Sequence, residues 1–253
     1  MRQNMGKLTL SETYMVLFYY TAGKHTDIYL PQNSAGIVLG GIYGLLQSGC
    51  VEKEKNGRLA VYKPLPSDYT GLEEMYTNIK RHSKNTTKWL DYYCCSPSQK
   101  NIKLLVDDLQ ESLVQRQMIK VQVKKGIFRQ RRVISLCEKE TEEVVRAFRE
   151  AMNREVPDED TAFLVQMLLL SGALKKYFSV QERGRIRKMI EQCRHTEIWK
   201  DMNGTQSTRL LLHRKNEKKP VSVIWMSVEF CRASDGQLLL GRDDRGVTRS
   251  CEW

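Results

Sequence analysis

The chain has 253 residues and carries 41 Lys and Arg against 30 Asp and Glu, a formal net charge of +11. Its length lets it bury about three quarters of its unfolded surface without help from disulfides or metal, and 41% apolar with 28% charged residues excludes an intrinsically disordered chain. No apolar run reaches the roughly 20 residues of a membrane span, and the stretch from Tyr14 to Tyr20 lacks the cleavage site of a signal peptide. The positive excess favours an acidic partner, whether nucleic acid, an anionic membrane surface or an acidic protein.

In chain order, Ser11 is the expected N-cap of a first helix, with Glu12 at its positive end and Tyr14, Leu17 and Phe18 at helical spacing. After a loop from Ala22 to Asn33, Ser34 is expected to cap AGIVLGGIYGLLQSG, a helix apolar nearly all round and therefore deep in the core. Gly49 ends it. VEKEK and RLAVY then flank Asn56-Gly57, the dipeptide of a two-residue type I′ hairpin turn. A basic helical region runs from Leu72 to about Tyr93, followed by a Ser-Pro-Ser loop at Pro97. Leu104, Leu105, Leu109, Leu113 and Val114 predict a helix with one apolar face, and VQVKKGIFRQRRVIS predicts a second hairpin turning near Lys125-Gly126. Helix followed by hairpin thus occurs twice, in the manner of two winged-helix units. Helices are expected again over ETEEVVRAFREAMNREV, over DEDTAFLVQMLLLSGAL and over VQERGRIRKMIEQ. From Asn203 the composition changes, and VSVIWMSVEF is a candidate strand.

The charge is concentrated. Arg116, Lys120, Lys124, Lys125, Arg129, Arg131 and Arg132 fall between Val114 and Cys137 with no Asp or Glu among them, a local charge of about +7. Ile127 and Phe128 stand at the tip of this second hairpin. Apolar tip residues with flanking cations suit a bilayer interface, where each cation near anionic lipid contributes about 1 kcal/mol. Lys and Arg that shield an exposed strand edge explain the same pattern without a ligand. Lys80, Arg81, Lys84 and Lys88 form a second basic cluster with Trp89, Tyr92 and Tyr93 behind it. That pattern fits phosphate contact and base stacking, or a solvated helix face over core aromatics. The carboxylate pairs Glu73-Glu74 and Asp107-Asp108 and the run Asp158 to Asp160 read as helix-start or surface acids. No nucleophile with an activating base, P-loop, dinucleotide fingerprint, zinc-spaced Cys set or metal-binding His cluster is present. Neither enzymatic activity, metal nor cofactor is therefore expected. The seven irregularly spaced cysteines suggest reduced thiols in a cytoplasm.

Four segments in this order resemble the Golgi phosphoprotein 3 family: LTLSETYMVLFYY, SAGIVLGGIYGLLQSGCVEKEKNGRLAVY, LQESLVQRQMIKVQVKK and DEDTAFLVQMLLLSGALKKYF. The resemblance implies a mainly α single domain over residues 7–202, with a hydrophobic helical core, surrounding amphipathic helices and two β-hairpins. Residues 203–253 would be a tail outside the family pattern. It also implies a peripheral membrane protein on the cytoplasmic face, which recognises phosphatidylinositol 4-phosphate in eukaryotic members. Further implied partners are tails of membrane enzymes, and oligomerisation through the second hairpin. The family's lipid-binding tryptophan corresponds to Tyr29 and one of its arginines to Lys103. Two further arginine positions carry Val38 and Val106, so only part of that pocket is kept. The expected headgroup set is Tyr29, Lys103, Lys124, Lys125, Arg129, Arg131 and Arg132, with Ile127 and Phe128 for membrane insertion. Nucleic-acid binding through the helix–hairpin units, or an adaptor role for membrane enzymes, is the alternative.

Overall fold

The first helix, α1 (Leu10–Ala22), starts where a polar exchange satisfies its open end. The Thr9 hydroxyl accepts from the Glu12 amide at 3.3 Å, and the Glu12 carboxylate accepts from the Thr9 amide at 2.6 Å. This is a capping box, so the cap is Thr9 rather than the expected Ser11. Ser11 lies inside the helix, fully buried, and donates to the Ile37 carbonyl at 2.7 Å. Every residue from Leu10 to Phe18 is buried, which makes α1 a central helix.

The computed structural model describes residues 8–22, 27–125, 130–154 and 157–179, together with 181, 182, 184 and 186. These all belong to one unit, Met1–Leu212. The expected strand VSVIWMSVEF, the tail and most of the helix over VQERGRIRKMIEQ lie outside the described residues. Among the described residues the fold is mainly α, with two small antiparallel sheets of two strands each.

The second helix, α2 (Pro31–Gln47), begins three residues before the expected cap. Pro31 occupies the first turn, where its missing N–H costs nothing, and Ser34 sits inside with its hydroxyl turned back to the Leu30 carbonyl. Burial is continuous from Asn33 to Leu45. Gly36 brings the helix against the Tyr14 ring: a β-carbon there would stand 2.4 Å from Tyr14 Cζ. α1 and α2 pack on each other, and α7 (Glu159–Ser171) packs on both to complete the core. Asp158 caps α7 by accepting from the Thr161 amide, and Gly172, at φ +80°, closes it.

The amphipathic elements surround these three. A 3₁₀ turn (Ser67–Leu72) leads into α3 (Glu73–Arg81), which buries Met75 and Ile79. The single helix expected through Tyr93 is in fact two, because the chain leaves helical geometry at His82 and restarts at α4 (Thr86–Cys94) under an Asn85 cap. α5 (Lys100–Gln115) buries Ile102, Leu105, Val106, Leu109 and Leu113. The expected members Leu104 and Val114 are exposed instead, one residue off the 3.6-residue stripe. α6 (Glu138–Met152) buries Thr141, Val145, Phe148 and Met152 at the spacing of one helical face.

The first hairpin joins β1 (Val51–Lys53) to β2 (Leu59–Val61). Its turn is not the type I′ form, which needs a positive φ at Asn56; among the described residues only Gln99 and Gln117 combine a side chain with positive φ. Instead the Gly57 amide closes onto the Glu54 carbonyl at 2.8 Å and Gly57 alone turns left-handed, at φ +77°. This is a three-residue loop with a glycine bulge. Asn56 works through its side chain, accepting from the Arg58 amide at 2.8 Å. The second hairpin joins β3 (Ile119–Lys125) to β4 (Gln130–Leu136), with Ile119 opposite Leu136 and Lys125 opposite Gln130.

Candidate functional site

The second hairpin leaves the core as a tapering ladder. At its base Ile119 is buried, and Val121, Ile134 and Leu136 pack against the core. Two residues further out, Val123 stands opposite Arg132, and both are exposed. Strand alternation places Val123 and Arg132 on the same face as the packed residues. The ladder therefore carries a guanidinium past the edge of the core, where it forms an ion pair with Asp107 in the middle of α5.

Tyr29 lies within electrostatic reach of this pair. It lies in the α1–α2 loop, half-buried against the core, with its amide donating to the Asp27 carboxylate at 2.8 Å. Burial pushes its phenol pKa up; Asp107 and Asp27 push in the same direction, and Arg132 opposes them. The hydroxyl thus lies within the field of both members of the ion pair. Lys103 is exposed on α5 exactly one i,i+4 step before Asp107, the spacing at which side chains on a helix are neighbours. Of the expected headgroup residues, Arg132 pairs with Asp107, Lys103 stands four residues before it on the same helix, and Tyr29 feels its charge.

The remaining expected residues divide in two. Lys124 and Lys125 continue β3, with Lys124 opposite Arg131 on β4. Arg129, Ile127 and Phe128 lie outside the described residues. Val38 and Val106 are fully buried, so these two positions belong to the core and face no ligand.

The hairpin window is acid-free only in one dimension. Arg116, counted within it, pairs with the buried Glu12 of α1 at 3.4 Å and donates to the Asp68 carbonyl at 2.6 Å. Ser112 donates to the same Glu12 carboxylate at 2.5 Å. Glu12 and Asp107, brought in by α1 and α5, therefore offset two of the seven cations in the window. No short-range signal announces either pairing, since Glu12 and Arg116 are 104 residues apart and Asp107 and Arg132 are 25 apart.

The other basic cluster has a structural explanation. Trp89 and Tyr93 are fully buried, and Lys84 Nζ lies 4.5 Å from the Trp89 ring centroid and 4.3 Å from that of Tyr92. These are core rings under a cation–π contact, and the two buried ones present no face to a base. Of the acid pairs, Glu73-Glu74 does open α3, but Asp107-Asp108 is mid-helix. A cleft of about 370 Å³, lined by Arg116, Glu140, Glu143 and Val144 among others, lies apart from all the expected residues. Cys50, Cys94, Cys95 and Cys137 are thiols, and desolvation pushes the Cys94 thiol pKa up to about 12, which disfavours the reactive thiolate.

The sequence profile described as Golgi phosphoprotein 3 (GPP34) matches residues 36–207, more than half of the chain. The chain belongs to the Golgi phosphoprotein 3 family. No curated protein matches it. The matched span takes in most of the buried glycine-containing α2 and all of α5, the second hairpin's described strands and the apolar α7. The family's members carry a Golgi phosphoprotein name, and among the described residues no helix is long and apolar enough to cross a membrane.

Proposed function

We propose that this protein is a non-enzymatic peripheral membrane protein that binds anionic phospholipid through the face where Tyr29, Lys103 and the second hairpin meet. The observation that carries this reading is the projecting basic hairpin, whose exposed Arg132 pairs with Asp107 on α5, the helix that also carries the exposed Lys103. Leu30 follows Tyr29, Leu104 follows Lys103, and Val123 is the cross-strand partner of Arg132; all three are exposed. Exposed cations and exposed apolar side chains together suit a lipid headgroup region, where cations meet phosphate and apolar groups meet the acyl boundary. Lys124, Lys125, Arg129 and Arg131 add charge further along the hairpin, and Ile127 and Phe128 are the residues that would enter the interface. At about 1 kcal/mol per engaged cation, four or five suffice for reversible attachment.

The reading extends to phosphoinositide-type headgroups through the family, with a site reduced to Tyr29, Lys103 and the hairpin cations. It places the protein in the cytoplasm on the face of a membrane, with tails of membrane enzymes as protein partners. Vesicle sedimentation at two salt concentrations tests it. Binding to anionic but not neutral vesicles, weakened by salt, is expected. Replacing Lys124, Lys125, Arg129, Arg131 and Arg132 with Ser should remove most of it. Equally negligible binding to both vesicle types would defeat the proposal.

A further inference from the structure

The cleft of about 370 Å³ stands at the lower end of the range for ligand pockets, about 300–1,000 Å³, and none of the expected headgroup residues lines it. Three parts of the chain form its walls. α6 contributes Glu140, Glu143, Val144 and Ala147, whose i, i+3, i+4, i+7 spacing is one helical face. The buried stripe of the same helix, Thr141, Val145, Phe148 and Met152, is a different face. The end of α5 and the turn after it contribute Arg116, Gln117 and Met118, and Leu8 and Thr13 come from either side of the α1 start. Charge in the cleft is one-sided. Among the described residues Arg116 is its only Lys or Arg, and that guanidinium is already engaged: Nε lies 3.4 Å from the fully buried Glu12 carboxylate, and Nη2 donates to the Asp68 carbonyl at 2.6 Å. Glu140 and Glu143 have no ion-pair partner among the described residues. Glu140 is accounted for by the helix start, where the macrodipole stabilises a carboxylate, but that effect fades within the first turn and Glu143 lies beyond it.

We propose that this cleft binds a small organic cation, an ammonium or guanidinium group on an apolar body, with its charge held by Glu140 and Glu143 and its body packed on Met118, Val144 and Ala147. The proposal is independent of the lipid reading above. An anion is disfavoured, because Glu12 already neutralises the one guanidinium in the walls and two carboxylates remain. A bare metal ion is disfavoured as well: among the described residues no group of three His, Cys, Asp or Glu could hold one. A cation on a short methylene chain satisfies both halves of the lining. Its N–H groups donate charge-assisted hydrogen bonds to the carboxylates. Each methylene fully removed from water against the apolar wall adds about fourfold to the affinity. The side-chain amide oxygens of Gln115 and Gln117, which also line the cleft, are further acceptors for such a donor.

Saturation-transfer NMR on the full chain tests this, with pentylammonium and butylguanidinium as probes and with pentan-1-ol and pentanoate as their neutral and anionic counterparts. Both cations should bind, pentan-1-ol more weakly and pentanoate not at all. An exposed ion pair contributes up to about fivefold, so Glu140→Gln combined with Glu143→Gln should weaken cation binding about tenfold and bring it near the level of pentan-1-ol. Glu142→Gln combined with Glu150→Gln removes two exposed acids of the same helix that do not line the cleft, and should leave binding unchanged. Ala147→Phe, which fills the cleft, should abolish binding of cation and alcohol alike. Absence of binding by either cation, pentanoate binding as well as pentylammonium, or equal loss from the two glutamine pairs overturns the proposal. Thermal unfolding checks that each variant is folded; should Ala147→Phe fail that check, the two glutamine pairs, which change only the polar surface of α6, decide the matter.

Discussion

Replacing Gly36 with Ala tests the closest approach in the core. The added β-carbon would stand 2.4 Å from Tyr14 Cζ and 2.7 Å from both Cε atoms, about 1 Å inside the optimal carbon–carbon separation of roughly 3.5 Å. The ring cannot step aside cheaply. It is fully buried, it stacks on Phe18 with centroids 6.0 Å apart, and its hydroxyl donates to the Asn33 carbonyl at 2.9 Å. Overpacking costs about 1–3 kcal/mol, and loss of the buried hydroxyl's partner costs about 1–3 kcal/mol more. The gain in helix propensity from Gly to Ala returns only about 1 kcal/mol. A net destabilisation of about 3 kcal/mol is expected. Gly44→Ala is the matched control on the same helix, because the nearest atom to its new β-carbon is Tyr69 Cε1 at 3.4 Å. It should stabilise by about 0.5–1 kcal/mol. Urea unfolding of both variants, followed by far-UV circular dichroism, reads the difference. Shifts of the same sign, or a neutral Gly36→Ala, would refute the packing of α1 on α2 described above.

Gln117, at φ +59°, occupies the left-handed position after α5, where the Met118 amide bonds the Leu113 carbonyl at 2.8 Å; Gln117→Gly should relieve about 1 kcal/mol of backbone strain, seen as a higher urea midpoint at unchanged slope. Glu12→Ala removes both the α1 cap and the partner of Arg116 from a fully buried position, and should cost about 3–5 kcal/mol in the same assay. Glu74, which accepts from the Tyr93 hydroxyl at 2.8 Å, has its pKa raised above the usual carboxylate range, chiefly by burial. A folded-state acid with a raised pKa adds stability that is present in full below its unfolded pKa and is lost as pH rises through the folded one. Wild type should therefore lose stability relative to Glu74→Gln as pH rises through and above the ordinary Glu range, and a constant difference across that range would count against the assignment.

Local rules carried the secondary structure further than they carried its ends or its long-range pairings. The buried α2, both hairpins and the Asp158 and Gly172 boundaries of α7 followed from apolar pattern, glycine placement and capping chemistry. Each of the first two helix starts was misplaced toward the chain interior. Ser11 and Ser34 are good caps in isolation, but Thr9 has Glu12 at the capping-box spacing and Pro31 is already set for a first helical turn. On α5 the outward turn of Leu104 and Val114 depends on which stripe meets the neighbouring elements, a choice that a run of apolar residues leaves open. The expected headgroup residues were readable singly, as a loop aromatic, a helix Lys and a hairpin Arg. The ion pair made by the hairpin Arg132 was not, because it depends on Asp107, whose only notable property in the sequence is a second Asp beside it.

The complete burial of α1 has a consequence for how the protein is made. Tyr14 must wait for Gly36, Glu12 for Ser112 and Arg116, and the Leu17 carbonyl for the Tyr177 hydroxyl, a partner 160 residues downstream. At about 5–20 residues per second, the ribosome needs on the order of 10–30 s to supply that last partner. For that interval the most apolar early segment of the chain has emerged without the surfaces that bury it, which makes it a natural client for a chaperone that binds nascent chains.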